Sequence, residues 1–325
     1  PGTEGVPEKQ GFDLFFGYNC QREAHFYYPE HLWKNEKKVV IKENKNGNKA
    51  VYSQDLILEE ALQFIQDHSQ DPFFLFLPFT LPHAELAVSV KDLNEYAGRF
   101  PETPYPGVHY GPQEKPRAAY AAMVSRLDRD IGKIFDLLRK MDLDNNTLVL
   151  FSSDNGPHQE GGHDPYYFKS NGPFRGIKRD LYEGGIRVPL IARWPRCIRA
   201  GSVNDHVGAF WDFLPTACEI AGIPSANNSD GISFLPALTG ASQTEHQYLY
   251  WEFHEQVGKQ AVLMDKWKGI RLNVFTDPDC PIELFDLNQD QKEQTDVSRL
   301  NPEIVKKIDQ IMKQAHSESK IFPFK

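Results

Sequence analysis

The densest concentration of side chains able to do chemistry lies between residues 152 and 189. It opens with Ser152-Ser153-Asp154-Asn155-Gly156-Pro157-His158 and ends with a glycine-rich run from Gly172 to Pro189. Asp154 beside Asn155 offers a carboxylate and an amide carbonyl, two hard oxygens of the kind that hold Ca²⁺ or Mg²⁺. Two oxygens do not complete a calcium shell of about six to eight, so further ligands must come from elsewhere. The same Asp-Asn-Gly-Pro string is also ordinary turn chemistry. Arg175, Lys178, Arg179 and Arg187 concentrate positive charge in a glycine-rich loop and suit an anion. The competing reading is a solvated loop with internal ion pairs such as Arg187 with Glu183. A third candidate, His83, closes the loop Pro78-Phe79-Thr80-Leu81-Pro82-His83. A loop histidine is either a hydrogen-bonded structural residue or a proton donor near neutral pH.

The elements around these loops decide between the readings. Residues 55–67 carry Leu58, Ala61, Leu62 and Ile65 at helical spacing, which predicts an amphipathic helix ended before Pro72. The apolar run at residues 73–77 then predicts a strand buried on both faces, as in a parallel sheet. Pro116 opens the clearest helix, with Met123, Leu127, Ile131, Ile134 and Leu138 on one face. After a turn at residues 142–146, residues 147–151 predict a second buried strand, and residues 188–192 a third. A helix is expected from about residue 210 to 221, stopped by Gly222 and Pro224. In a parallel α/β sheet ligands bind at the carboxyl ends of strands, which is where His83 and Asp154 fall. The Asn-rich stretch 42–49 reads as an exposed turn or hairpin tip.

Beyond residue 245 the pattern changes to short strand candidates at 248–253, 261–264, 267–272 and 283–285, then a helix at 302–315. The expected organisation is an α/β core over residues 1–245, with a mainly parallel sheet flanked by helices, and a small antiparallel-sheet-plus-helix subdomain over 246–325.

Composition excludes several classes. The chain has 325 residues, of which 40% are hydrophobic and 25% charged, as in ordinary folded proteins. No apolar run reaches the roughly 20 residues of a membrane helix. A formal charge of −9 argues against a general nucleic-acid binder. Cys20, Cys197, Cys218 and Cys280 form no CxxC pair and flank no histidine, so a cysteine enzyme is not expected.

Taken in order, these segments resemble the sulfatase family of the alkaline phosphatase superfamily. Ser-Asp-Asn-Gly after a buried strand, followed by Gly-x-Lys-x-x-x-Tyr-Glu-Gly-Gly-x-Arg-x-Pro, is similar to that family's downstream signature. The Pro82-His83 loop, Gly11 to Gly17, Tyr120-Ala121-Ala122-Met123 and Glu283-Leu284-Phe285-Asp286-Leu287 fit as well. The resemblance implies that Asp154 and Asn155 are calcium ligands and that Lys178 contacts the sulfate and the leaving oxygen. It implies that His83 holds the sulfate and protonates the departing alcohol. Glu183 and Arg187 would brace the loop. Arg175, His158, His163 and Asp164 would lie in the variable mouth of the site, and His25 could join them. The implied reaction is hydrolysis of a sulfate ester on a sulfated glycan or aryl sulfate, with a hydrated formylglycine, made from Cys or Ser, attacking sulfur.

Three family features do not occur in these residues: the Cys- or Ser-x-Pro-x-Arg nucleophile motif, the Asp-Asp pair supplying the other calcium carboxylates, and a Gly-Lys-Trp-type segment. In the family they lie upstream of the stretch resembling Gly11 to Gly17. The chain, which starts at Pro1, is therefore expected to correspond to a sulfatase after its N-terminal third, inactive alone and carrying half a calcium site. A related phosphodiesterase or phosphonate hydrolase, and a non-catalytic binder of sulfated glycans, are the alternatives. Asn155 favours calcium over transition-metal chemistry. The parent is expected to be exported, and Asn145-Asn146-Thr147 and Asn227-Asn228-Ser229 are glycosylation sequons relevant in a eukaryotic secretory route. Oligomeric state is left open.

Overall fold

The hydrophobic stripes of the first half assemble around two long helices. In the computed structural model, which describes residues 2–225 and 229–324, the chain separates into two compact units. The first comprises residues 2–145 and 158–164, the second residues 146–157 and 165–324.

In the first unit, β1 (Phe16–Gly17), β2 (His31–Lys34) and β3 (Lys37–Val40) form a small antiparallel sheet. Helix α1 (Ser53–Asp67), the short α2 (Val90–Asn94) and α3 (Pro116–Lys140) follow. Pro116 occupies the first turn of α3, where its missing N–H costs no hydrogen bond. Tyr27, Tyr52, Leu81, Leu86, Ala119 and Met123 form the core. Arg126 on α3 ties the helices together, reaching Asp55, Asp92 at 3.4 Å and the fully buried Asp130 at 3.1 Å.

One expectation is refined here and another corrected. The stretch 42–49 is the exposed turn expected, with one residue as the exception. It contains a 3₁₀ segment, Lys42–Gly47, whose Asn44 is buried. The Asn44 amide donates to Pro29 O and Val51 O and accepts from Ala50 N and Val51 N, so the side chain replaces backbone pairing inside the turn. Residues 73–77 are not a strand buried on both faces. They pair with no strand among the described residues, and Phe74 and Phe76 are 56% and 63% exposed. An apolar run states only that a segment needs cover; burial requires neighbouring strands, and none of the described ones lies alongside it.

In the second unit, β4 (Val149–Ser152) pairs with β5 (Leu190–Arg193). The pairing is antiparallel, against the parallel arrangement expected for these two runs, because the long connection between them returns the chain in the opposite direction. Phe151, Leu190 and Ile191 remain exposed, so this pair is not buried on both faces either. The connection holds α4 (Pro165–Phe168) and α5 (Glu183–Ile186). Helix α6 (Phe213–Ala221) ends at Gly222, which takes the left-handed conformation (φ 68°) that terminates helices, and α7 (Leu235–Thr239) follows.

Strands β6 (Leu249–Phe253), β7 (Lys259–Met264), β8 (Trp267–Leu272) and β9 (Ile282–Asp286) then form an antiparallel meander. Helix α8 (Pro302–Ala315) buries Ile308, Ile311 and Met312 against Val262, Met264, Ile282 and Leu284. Gly269 permits this approach, since a side chain there would collide with Ile308. The α/β class with a C-terminal antiparallel sheet and helix therefore stands. Asn145 of the first sequon is exposed at the 3₁₀ turn Asp144–Asn146, whereas Asn227 and Asn228 of the second lie outside the described residues.

Candidate active site

In the first unit, five of the expected site residues cluster. The His83 ring stacks on His158 at 4.8 Å and lies 5.0 Å from His25, and His158 lies 5.0 Å from His163. His83 Nδ1 is 2.8 Å from Ala84 O and its Nε2 is 3.1 Å from Glu160 Oε2. Both ring nitrogens thus face oxygens that only accept. His158 is held in one tautomer: the Glu160 backbone N–H donates to its Nδ1 at 3.1 Å, so Nε2 carries the proton directed at Pro82 O, 3.2 Å away. That tautomer makes the 3.7 Å approach of Nδ1 to the Glu160 carboxylate something other than an ion pair.

His163 is 3% exposed and stacks on Tyr120 with centroids 3.7 Å apart. Burial holds its imidazole down at about 3, so it is a neutral ring at physiological pH. Asp164 pairs with Arg117 at 3.1 Å. Gly161 and Gly162, both at positive φ, let this loop pass over Ala84 and Tyr105, where a side chain would clash.

In the second unit, the Asp154-Asn155-Gly156 turn follows β4 directly and is braced by the Gly184-Gly185 segment. Gly156 N donates to Gly185 O at 2.8 Å, and Lys178 N donates to Pro157 O at 2.9 Å. A side chain at Gly156 would run into the backbone of Gly184 and Gly185. We therefore expect Gly156→Ala to cost about 1–3 kcal/mol of stability through overpacking, read as a lowered urea midpoint with unchanged slope. An unaltered midpoint would contradict this close packing.

Asp154 is exposed, Asn155 half-buried, and Asn155 Nδ2 donates to Gly156 O at 2.8 Å. Lys178 is half-buried in the same unit. Arg187 approaches Glu183 at 3.6 Å and lies over the Phe174 ring, and Arg179 meets Glu255 at 3.2 Å. Among the described residues no group of three His, Cys, Asp or Glu side chains is arranged to hold a metal ion, and no helix is long and apolar enough to cross a membrane.

The sulfatase family model matches residues 2–223. This chain belongs to the sulfatase family. A second model, the C-terminal region of N-sulphoglucosamine sulphohydrolase, matches residues 175–320. Canine (Canis lupus familiaris) N-acetylgalactosamine-6-sulfatase is 33% identical over 268 residues, covering 75% of this chain and 45% of that protein. Human steryl-sulfatase is 36% identical over 196 residues, covering 59% and 30%. The chain thus spans less than half the length of these curated relatives. Among solved structures, Ps i-CgsB in complex with k-i-k-neocarrahexaose superposes with a TM-score of 0.77 at 26% identity, over 97% of this chain and 68% of that one. A structure in complex with its substrate D-glucosamine-2-N,6-O-disulfate shares the fold (TM-score 0.74, 19% identity, 95% and 77% covered).

Sequence reasoning missed the group that anchors the loop brace. Lys268 on β8 is fully buried, 2.7 Å from Glu183 and 3.8 Å from Glu293, and Glu293 accepts the Glu183 N–H at 2.7 Å. Glu183 begins α5, so the C-terminal sheet holds the segment that in turn braces Asp154 and Asn155. Nothing local marks Lys268, because its partner is 85 residues away in the chain. Glu160 was missed as well, although it stands only two residues from His158.

Burial pushes the Glu293 carboxyl up to about 7 from its ordinary 4.5, against the opposing pull of Lys268. The folded chain then binds this proton more tightly than the unfolded one does. Its contribution is complete below pH 4.5 and is lost as the pH rises toward 7. Glu293→Gln should remove that slope, on the order of 3 kcal/mol across the window, when urea unfolding is compared at pH 4.5 and 7. An identical pH dependence in both proteins would contradict the assignment.

Proposed function

We propose that this chain is part of a sulfuric ester hydrolase that cleaves sulfate esters on a sulfated glycan or aryl sulfate. The observation that supports it most directly is the joining of Lys178 to the Asp154-Asn155 turn through Pro157, which sets a cation and two hard oxygen donors on one loop system. Hydrolysis of a sulfate monoester places charge on the leaving oxygen, and preorganised cations stabilise it. In this reading Lys178 meets that oxygen, and His83 delivers a proton to the departing alcohol.

Ca²⁺ fits the donors present in part. The Asn155 nitrogen is committed to Gly156 O, leaving its carbonyl oxygen, with the Asp154 carboxylate, for a hard cation. When bound, such an ion would polarise the nonbridging sulfate oxygens. No Cys- or Ser-x-Pro-x-Arg motif occurs in these residues, so the chain by itself is expected to be inactive.

The test is turnover of 4-nitrophenyl sulfate and of sulfated oligosaccharides. The protein expressed from its complete gene should release sulfate, and chelation of calcium should suppress that release. The present chain should show neither. Release of phosphate or phosphonate products in preference to sulfate would overturn the reading. Export from the cytosol is part of the same proposal, tested by finding the protein in a cell fraction outside it.

A further inference from the structure

The second unit contains an open cavity of about 610 Å³ that none of the proposed catalytic or calcium-binding residues lines. Its walls include Tyr166, Phe174, Arg175, Lys292, Glu293 and Gln294. The charge on these walls is lopsided. Glu293 is the sole carboxylate among them, and it is fully buried with its oxygens turned to the Glu183 N–H and toward Lys268. What remains toward the cavity is cationic, in a chain whose net charge is −9.

Arg175 is held in place before any ligand arrives. Its guanidinium lies 3.8 Å from the centre of the Tyr182 ring, and Nη1 donates to Glu293 O at 2.9 Å. Nη1 also makes the 3.9 Å approach to Glu283, so among the described residues Nε and Nη2 keep their donors. That edge of a guanidinium matches two oxygens of one tetrahedral anion. Lys292 is exposed and makes no ion pair among the described residues. Tyr166, 56% exposed, presents a large aromatic surface, and Gln294 an exposed amide. Rigid aromatic faces, amides and preset cations together suit an anionic sugar better than an apolar ligand.

We infer that this cavity binds a further sulfate group of an oligosaccharide substrate, with Arg175 and Lys292 on the sulfate and Tyr166 against the sugar ring. The inference rests on the sulfatase reading and narrows it to glycans carrying more than one sulfate.

Calorimetric titration of the chain with a heparin-derived sulfated tetrasaccharide, and with its fully desulfated counterpart, tests this. The sulfated probe should bind, more weakly as salt is raised, and the desulfated one at least about tenfold more weakly. Lys292→Glu should weaken binding about tenfold and Tyr166→Ala about fivefold, judged against exposed-site ion-pair and stacking strengths. Lys306→Glu, the same charge change at an exposed position on α8, should leave affinity unchanged. No binding of the sulfated probe, equal binding of both probes, an unaffected Lys292→Glu variant, or an equal loss in Lys306→Glu would each overturn the inference. Because the readout is binding, it fails independently of the sulfatase reading, which is decided by turnover.

Discussion

Replacing Lys268 by Met is expected to destabilise the chain by about 3–5 kcal/mol, the usual cost of removing one partner from a buried ion cluster. Lys268 is fully buried between Glu183 and Glu293, and the latter has no accessible surface. Without the ammonium, two carboxylates would share a dry site, and one or both must take up a proton to remain there. The measurement is urea unfolding of wild type and variant at pH 7. A second arm separates charge from shape: Glu183→Gln in the Lys268→Met background should recover part of the loss, since it removes one uncompensated charge while keeping the volume. A single variant as stable as wild type would show that the cluster contributes little. Because Glu183 begins α5 and α5 is continuous with Gly184 and Gly185, the same variant should loosen the Asp154-Asn155 turn. On the proposed calcium reading, it should therefore weaken calcium binding in any form that still folds.

The second large effect concerns catalysis in the protein expressed from its complete gene. His83→Ala should lower kcat for a sulfated sugar by about 10²–10⁴-fold, the range for loss of a general acid. The effect on 4-nitrophenyl sulfate should be much smaller. A sugar alkoxide is a poor leaving group without a proton, whereas 4-nitrophenolate departs without one. A merely structural role for His83 would depress both substrates alike, and that result would sink the assignment. Glu160, 3.1 Å from His83 Nε2, is the group positioned to orient this ring. Glu160→Gln should consequently alter the pH profile of sugar-sulfate turnover more than its maximum rate. A profile unchanged by Glu160→Gln would remove it from that role.

Much of the local structure was legible from residue patterns alone. The stripe of Leu58, Ala61 and Ile65 located α1 to within two residues at its start, and Pro116 marked the first turn of α3. The four strands of the C-terminal sheet and α8 were readable from alternation and periodicity, with β8 and α8 coinciding at both ends. Helix and strand formation depend on near neighbours, so these signals are local. The failures came where a segment depends on distant partners. Residues 73–77 are as apolar as a buried strand, but pairing is not a property of one segment. Asn44 looked like a surface turn residue until its amide was seen replacing four backbone contacts.

The candidate site divides in the same way. Asp154, Asn155, Lys178 and His83 were singled out as candidates by residue type and by order along the chain, because hard oxygens, a cation near glycines and a loop histidine suggest their chemistry without coordinates. Glu160, Lys268 and Glu293 were invisible, since each acts through a contact that only folding creates.

The opening concentration of chemistry at residues 152–189 thus acquires its meaning in two stages. The amino-acid sequence by itself determined the family, the class of fold and the candidate reactive groups. These rest on residue identity and ordered spacing, which survive without geometry. Only the tertiary structure decided what holds those groups in place: glycines at 156, 184 and 185 packed backbone to backbone, and a buried lysine from β8 fixing the start of α5. Close packing and charge burial are sums over residues far apart in the chain, so no window of sequence contains them.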